Sequence, residues 1–324
     1  MIHTAQFYKI LNKREIEYLI KKFKDDINLI SLKINEIYLD KGIVITFYKR
    51  FGVYYMFLDI DFIKLISKSV ITEKDYFNIQ SCIDIFLENV FGYSFDMILI
   101  RLDYRLDLKI LNKNDKYFLL NALNKSINKY GFKKKYNKYK TCKYFNSKSV
   151  QFKIYDKEKE RKDKGAKIEE YERNVLRLEI ALRNKHLNYK KRNGYKKHLK
   201  TYLNNELYKN YFNDIFDGII YRGDFLKIYM ADKIINKSEL DLKNKKKVRE
   251  FLIDISKHRE INLLFNILDS DGKQKYTKYK YKKYISILND LNINPILIPK
   301  NLKGTSKRIK NPLKYLNDKL DNCQ

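Results

Sequence analysis

Gln151-Phe152-Lys153-Ile154-Tyr155-Asp156-Lys157 alternates polar and apolar residues with period two, and so do Arg101 to Leu108 (RLDYRLDL) and Val175 to Arg183 (VLRLEIALR). That period is the signature of a strand with one face in a core and the other turned away from it. In the first stretch Val150, Phe152 and Ile154 form the apolar set, so Gln151, Lys153 and Tyr155 point the opposite way. In the second, Leu102, Tyr104, Leu106 and Leu108 go inward and leave Arg101, Asp103, Arg105 and Asp107 outside. In the third, Leu176, Leu178, Ile180 and Leu182 go inward, while Arg177, Glu179 and Arg183 go out. Placed in one sheet, these polar faces gather an Asp, a Tyr and a Glu among Arg and Lys side chains. Those are the materials of metal-assisted phosphoryl transfer with a tyrosine nucleophile. Any half-solvated antiparallel sheet produces such strands, so one of them alone argues only for structure. Three, each with a competent group near its middle, argue for more, although neither period nor composition names a reaction.

Composition bounds the partners. The chain has 324 residues, room for one large or two modest domains with real cores. Its 69 Lys and Arg against 39 Asp and Glu give a net charge of +30. Lys, Asn, Ile and Tyr all have AT-rich codons, so part of that excess reflects codon bias. The surplus over acidic residues still points to a polyanionic partner. Nucleic acid is favoured over membrane, because no apolar run has spanning length and Lys9, Lys13, Arg14 and Glu15 interrupt any signal-peptide pattern. Cys82, Cys142 and Cys323 lie far apart, which predicts neither a disulfide framework nor a zinc site and fits a reducing cytoplasm.

The fold class expected is α+β, an antiparallel sheet with helices packed on one face, followed by a mainly helical C-terminal region. Residues 1–187 are expected to form the first domain and residues 188–324 a basic DNA-binding one. Ile43 to Tyr48 and Val53 to Leu58 read as a hairpin turned at Lys49-Arg50-Phe51-Gly52. Thr72 starts a helix through about Glu88, with Tyr76, Ile79, Ile83 and Leu87 on one face and Phe91-Gly92 closing it. Asn114 to Lys129 reads as another helix. Asp156 to Glu172, almost all charge, reads as an exposed connection. Helical periodicity dominates after Asn184, as in Lys245 to Ser256 and Glu260 to Leu268. The basic tail after Pro299 is expected to be loosely ordered.

The order of these motifs carries a resemblance. An RLD strand is followed by Tyr144-Phe145-Asn146-Ser147-Lys148-Ser149, then by the KIYDK strand with Glu160 five residues beyond Tyr155, then by LRLEIALR. Together they resemble the rolling-circle replication initiators of the filamentous-phage II/X family. They are also similar to the replication initiation factor family of small plasmids, with its YFG-x-x-S, Y-x-K-x-x-E and R-x-E-x-x-L-R pattern. The likeness covers Arg101 to Leu187 and departs at Asn146, where the family has Gly; Asn tolerates the left-handed conformation better than other non-glycine residues.

The resemblance implies a sequence- and strand-specific DNA nickase that works through a 5′-phosphotyrosine. Tyr155 becomes the nucleophile, with Tyr144 as its rival, and Lys153 and Lys157 flank it to hold phosphate or stabilise a phenolate whose ordinary pKa is near 10. Asp103 and Glu179 become metal ligands with Glu160 a third. Oxygen ligands suit Mg²⁺ or Mn²⁺, and none of the four histidines forms a His-hydrophobe-His pair.

Implied partners are origin DNA, duplex and single-stranded, with a host helicase and polymerase, since no Walker-type loop is present; a homodimer is allowed for. Lys133, Lys134, Lys135, Lys138 and Lys140, interleaved with Tyr136 and Tyr139, are the candidate DNA contacts, and Lys273 to Tyr284 is a second basic and aromatic run. No helix-turn-helix pattern is sharp. The alternatives are a non-catalytic origin-binding or copy-control protein, and a relaxase or transposase with the same tyrosine chemistry.

Overall fold

The computed structural model of the chain describes residues 1–122, 125, 133–134, 142–146, 149–258 and 260–321, with residues 133–134, 143–146, 217–218 and 317–321 described by backbone alone. Eight strands form one sheet: β1 (Ile2–Leu11), β2 (Ile43–Arg50), β3 (Val53–Asp61), β4 (Ile98–Lys109), β5 (Lys133–Lys134), β6 (Cys142–Asn146), β7 (Val150–Asp156) and β8 (Val175–Arg183). Their order is β2-β3-β1-β4-β8-β7-β6-β5. All three alternating stretches are therefore strands, and β4, β8 and β7 are consecutive.

The helices, in chain order, are α1 (Lys13–Phe23), α2 (Ile27–Tyr38), α3 (Phe62–Leu65), α4 (Tyr76–Phe91), α5 (Lys113–Ala122), α6 (Lys157–Asp163), α7 (Asn184–Arg192), α8 (Leu199–Tyr202), α9 (Asn205–Ile215), α10 (Ile228–Lys237), α11 (Leu242–Lys257), α12 (Lys278–Asp290) and α13 (Pro312–Asp321). The fold is α+β with an antiparallel sheet, and the C-terminal region is mainly helical. Among the described residues no helix is long and apolar enough to cross a membrane.

The chain divides into two compact units that interleave. One comprises Met1–Leu106, Ser147–Phe152 and Glu179–Asn210; the other comprises Asp107–Asn146, Lys153–Leu178 and Tyr211–Gln324. Strand pairing is long-range in sequence, so β4, β7 and β8 each contribute residues to both units.

In the first unit the hairpin forms as its sequence suggests. Arg50 pairs with Val53, and the two-residue turn between them has positive φ at both positions, 48° at Phe51 and 77° at Gly52, the type I′ geometry that matches strand twist. One face of the sheet is apolar: Ile45 lies opposite Leu58, Leu58 opposite Phe7, and Ala5 opposite both Ile60 and Leu102. That face shares the core with Ile30 and Ile34 of α2 and Ile79, Ile83, Phe86 and Leu87 of α4, all at most 2% exposed. Gly92, at φ 82°, ends α4 in the left-handed conformation. Thr72 caps a short turn, Glu73–Asp75, that leads into α4.

β2 is an edge strand, and Asn35 of α2 satisfies its outward side: the Asn35 amide donates to the Ile45 carbonyl at 2.9 Å and its oxygen accepts from Ile45 N at 2.7 Å. Asn35→Ala strips both backbone groups of their partner. We expect a loss of about 2 kcal/mol, roughly 1 per hydrogen bond, read from the urea midpoint at unchanged m-value.

The second unit corrects two expectations. Lys273 to Tyr284 is no open aromatic track: Tyr276, Tyr281 and Tyr284 are buried, with ring centroids 5.3, 6.0 and 5.2 Å from that of Phe251 in α11. Helical spacing gathers these tyrosines on the apolar face of α12 and its entry, while Tyr279 faces outward at 76% exposure. The tail after Pro299 is ordered rather than loose. Its strand β10 (Arg308–Ile309) pairs with β9 (Phe225–Leu226), and α13 follows. The fully buried Asp224 holds it there, accepting from Arg308 Nε at 2.7 Å, Asn311 N at 3.0 Å and Lys314 Nζ at 2.9 Å. Gly223, at φ 84°, sits so close that an added Cβ would come 2.4 Å from the Ile293 carbonyl carbon, which makes glycine obligatory.

Candidate functional site

The first unit holds Asp103 and Glu179. Asp103 lies on β4, opposite Thr4 of β1, and both carboxylates are only 5% exposed. Thr4 Oγ1 donates to Asp103 at 3.0 Å, while Arg101 donates from Nε at 3.0 Å and from Nη2 at 2.8 Å. Between Ile2, paired with Tyr104, and Thr4, paired with Asp103, β1 carries one extra residue, His3. Such a bulge re-aims a side chain, and His3 Nδ1 comes within 3.8 Å of Glu179 Oε1. Beside this group Gln6 donates to Asp59 at 3.1 Å, and an open pocket of about 260 Å³ is lined by Thr4, Gln6, Asp59, Asp61, Lys64 and Arg101. Burial works against the Arg101 charge, but Asp103, Glu179 and Asp59 together raise its pKa. The patch thus sets the cations Arg101 and Lys64 among the carboxylates of Asp59, Asp61 and Asp103.

Sequence reasoning missed His3, Thr4 and Gln6, because β1 itself went unassigned. Its inward residues Ile2, Ala5, Phe7 and Leu11 are unevenly spaced, and the bulge at His3 breaks their alternation.

The second unit holds Tyr155, Lys153, Lys157 and Glu160. Tyr155 lies on β7 and is 8% exposed, so the polar face expected to be open is largely covered. The stretch from Asp156 to Glu172, read as an exposed helix or loop, contains α6 and is largely exposed or half-buried, but its two ends turn inward. Lys157 opens α6 at 4% exposure and Glu172 is fully buried. Arg161 grips Glu172, with Nη2 at 2.7 Å from one oxygen and Nε at 2.8 Å from the other, and Lys157 Nζ lies 3.6 Å from the same carboxylate. Glu160 accepts from Lys157 at 2.8 Å and pairs with Lys164. Behind them the fully buried Arg177 donates to both oxygens of Asp107, at 2.7 and 2.9 Å. Buried charges need such partners, and that requirement turns the ends of a charge-rich segment inward.

This packing sets the titration of the group. Burial, and behind it the Arg177 guanidinium, holds the Lys157 ammonium below the usual lysine range against the pull of Glu160. The Lys157 nitrogen lies 5.9 Å from the centroid of the Tyr155 ring. Burial pushes the Glu160 carboxyl up from its ordinary 4.5, but Lys157 and Lys164 outweigh it and bring it down to about 2. Glu172 is likewise lowered, by Arg161 and Lys157 against burial. A folded pKa below the unfolded one means stability that is present above the unfolded value and lost as pH falls through the folded one. Urea midpoints should therefore hold above about pH 5 and fall between there and pH 2, and Glu160→Gln should flatten part of that fall.

Lys133 and Lys134 form strand β5, paired with Asn146 and Phe145, while Lys135, Lys138 and Lys140 lie outside the described residues. The Tyr144 side chain is also outside them. A basic cleft that sequence reasoning did not single out lies at α7 in the first unit, lined by Ser149, Asn184, Lys185, His186, Tyr189 and Arg192.

Among the described residues no group of three or more His, Cys, Asp or Glu is arranged to hold a metal ion. Magnesium is commonly held by one or two carboxylates completed by water and substrate phosphate, and needs no all-protein cage. Asp103 and Glu179 are the carboxylates that mode would use, but Arg101 and Thr4 already engage both oxygens of Asp103, as two lysines engage Glu160. No protein-family model matches the chain, and no curated protein matches it.

Proposed function

We propose that the chain is a rolling-circle replication initiator of the phage and plasmid type its motifs resemble, a DNA nickase and strand transferase with Tyr155 as nucleophile. What supports the reading is the motif order in the sequence, with Asp103 and Glu179 held in the first unit and Lys153, Tyr155 and Lys157 in the second. The Tyr155 oxygen attacks a phosphodiester, forms a phosphotyrosine with the 5′ phosphate and releases the 3′ oxygen, which takes up a proton as the 3′-OH. Lys157, whose nitrogen lies 5.9 Å from the Tyr155 ring centroid and whose pKa burial and Arg177 lower against the pull of Glu160, is the group assigned to receive the phenol proton. Lys153, on the same strand, faces the phosphate. Asp103 and Glu179 would hold Mg²⁺ or Mn²⁺, which when bound supplies positive charge at the phosphate oxygens. The covalent bond conserves the energy of the broken one, so the strand can later be rejoined. Origin DNA, a host polymerase and a helicase are the partners this activity needs.

The test is cleavage of supercoiled plasmid carrying the element's own origin, with Mg²⁺ or EDTA, scored for protein on the new 5′ end. Metal-dependent covalent product supports the reading. Tight origin binding without any cleavage favours a non-catalytic origin-binding or copy-control protein, a reading that the covered position of Tyr155 favours. Cleavage of a transfer or transposon end in preference to a replication origin would indicate a relaxase or transposase.

A further inference from the structure

At the tip of the β2-β3 hairpin, Phe51 is 90% exposed and stands at φ 48°. The first position of a type I′ turn favours Asn, Asp or Gly, and a left-handed Phe there is strained. The side chain adds nothing to the core and costs stability where it stands. Its surroundings are aromatic and basic. The Arg50 guanidinium lies 5.0 Å from the Phe51 ring centroid, and Lys49 Nζ lies 5.0 Å from that of Tyr54.

The register carries this surface back along the sheet. Tyr48 faces Tyr55 and Tyr8 faces Phe57, the last two rings stacked with centroids 6.3 Å apart. All four lie on the face opposite the core, none is buried, and Tyr48 is 55% exposed. Along β1 the same face continues from Tyr8 through Gln6 to Thr4, the partner of Asp103. Acidic side chains gather at the far end of the stripe, where Gln6 holds Asp59, Thr4 holds Asp103 and Asp61 lies opposite Thr4.

We propose that this face, with Phe51 at its end, is a stacking platform for the unpaired bases of single-stranded DNA, whose phosphates are met by Arg50. Flat rings on a paired, stiff hairpin suit base faces, and a flanking cation suits the backbone. A protein partner would need apolar knobs complementary to the stripe, and nothing here selects one. The proposal rests on DNA being the ligand and is independent of the Tyr155 chemistry, so loss of nicking leaves it standing.

The deciding variant is Phe51→Asn in the full chain, because it gives the turn the Asn-Gly pair it prefers. Expected are a higher midpoint of thermal unfolding and, by fluorescence anisotropy, binding of short oligo(dT) weakened about tenfold or more, with duplex of equal length bound as before. The double variant Tyr48→Ser/Tyr55→Ser should weaken oligo(dT) binding likewise. Oligo(dT) affinity unchanged in both variants overturns the platform. Equal loss for duplex and single strand also overturns it, because the effect would then be one of charge or folding. Oligo(U) bound more tightly than oligo(dT) by wild type would assign the surface to RNA instead. Failure of wild type to bind any DNA removes the DNA reading and this proposal together.

Discussion

Tyr155→Phe is expected to abolish covalent attachment to DNA and to slow strand cleavage by roughly 10⁴-fold or more, about 5 kcal/mol in barrier, the scale on which removal of a nucleophile acts. The stability cost should be small. The ring stays in place, and a single buried hydroxyl is worth about 1 kcal/mol, so the variant should unfold cooperatively close to wild type. That contrast gives the experiment its force, because Tyr155 is 8% exposed and a purely structural tyrosine would show only the stability change. Nicking that persists in Tyr155→Phe moves the nucleophile elsewhere, with Tyr144 the next to replace. Lys157→Met separates base from nucleophile. It should leave attachment possible but shift the rising limb of the pH-rate profile toward the unassisted phenol, whose ordinary pKa is near 10. Asp103→Asn should weaken cleavage in a manner partly recovered by higher metal concentration, whereas a structural Asp103 would show no metal dependence.

How much of this was legible without coordinates follows from the range of each signal. The hairpin was readable because its determinants are local: alternation on both sides of Gly52 and a turn of two residues. The three alternating strands were readable for the same reason, and so was the helix ending at Gly92. β1 was not readable. It is paired on both sides, with β3 and β4, but its alternation is broken by the bulge at His3.

In the charged segment after Tyr155 the burial of Lys157 and Glu172 was not legible, because it depends on a side-chain network within the segment. Glu172 becomes a core residue only when Arg161 and Lys157 meet it, and no period encodes that. The tyrosines of 276–284 looked like a nucleic-acid track because lysines separate them. Only the frame of α12, set by the Thr277 cap that accepts from Lys280 N, shows which of them face Phe251. Asp103, Glu179 and Tyr155 were picked from alternation and motif order. Their hydrogen-bond partners, Thr4 and Arg101 among them, required the register.

The second large effect concerns Arg177, which alternation placed on an outward face and which the structure buries completely against Asp107. Arg177→Met removes one half of a bidentate buried pair and leaves a carboxylate without its guanidinium, which should cost about 3–5 kcal/mol, read as a large drop in the urea midpoint. The double variant Arg177→Met/Asp107→Leu should recover most of that loss, because a buried ion pair is often no better than apolar residues of similar volume. The double variant also tests the chemistry. The Arg177 charge helps to depress the Lys157 pKa; without it the ammonium is favoured, and the neutral amine appears only at higher pH. If Lys157 takes the phenol proton, nicking by the refolded double variant should keep its maximal rate while its rising limb moves to more alkaline pH. A double variant that is stable and nicks with the wild-type pH profile would confine Arg177 to structure and remove Lys157 from the proton transfer.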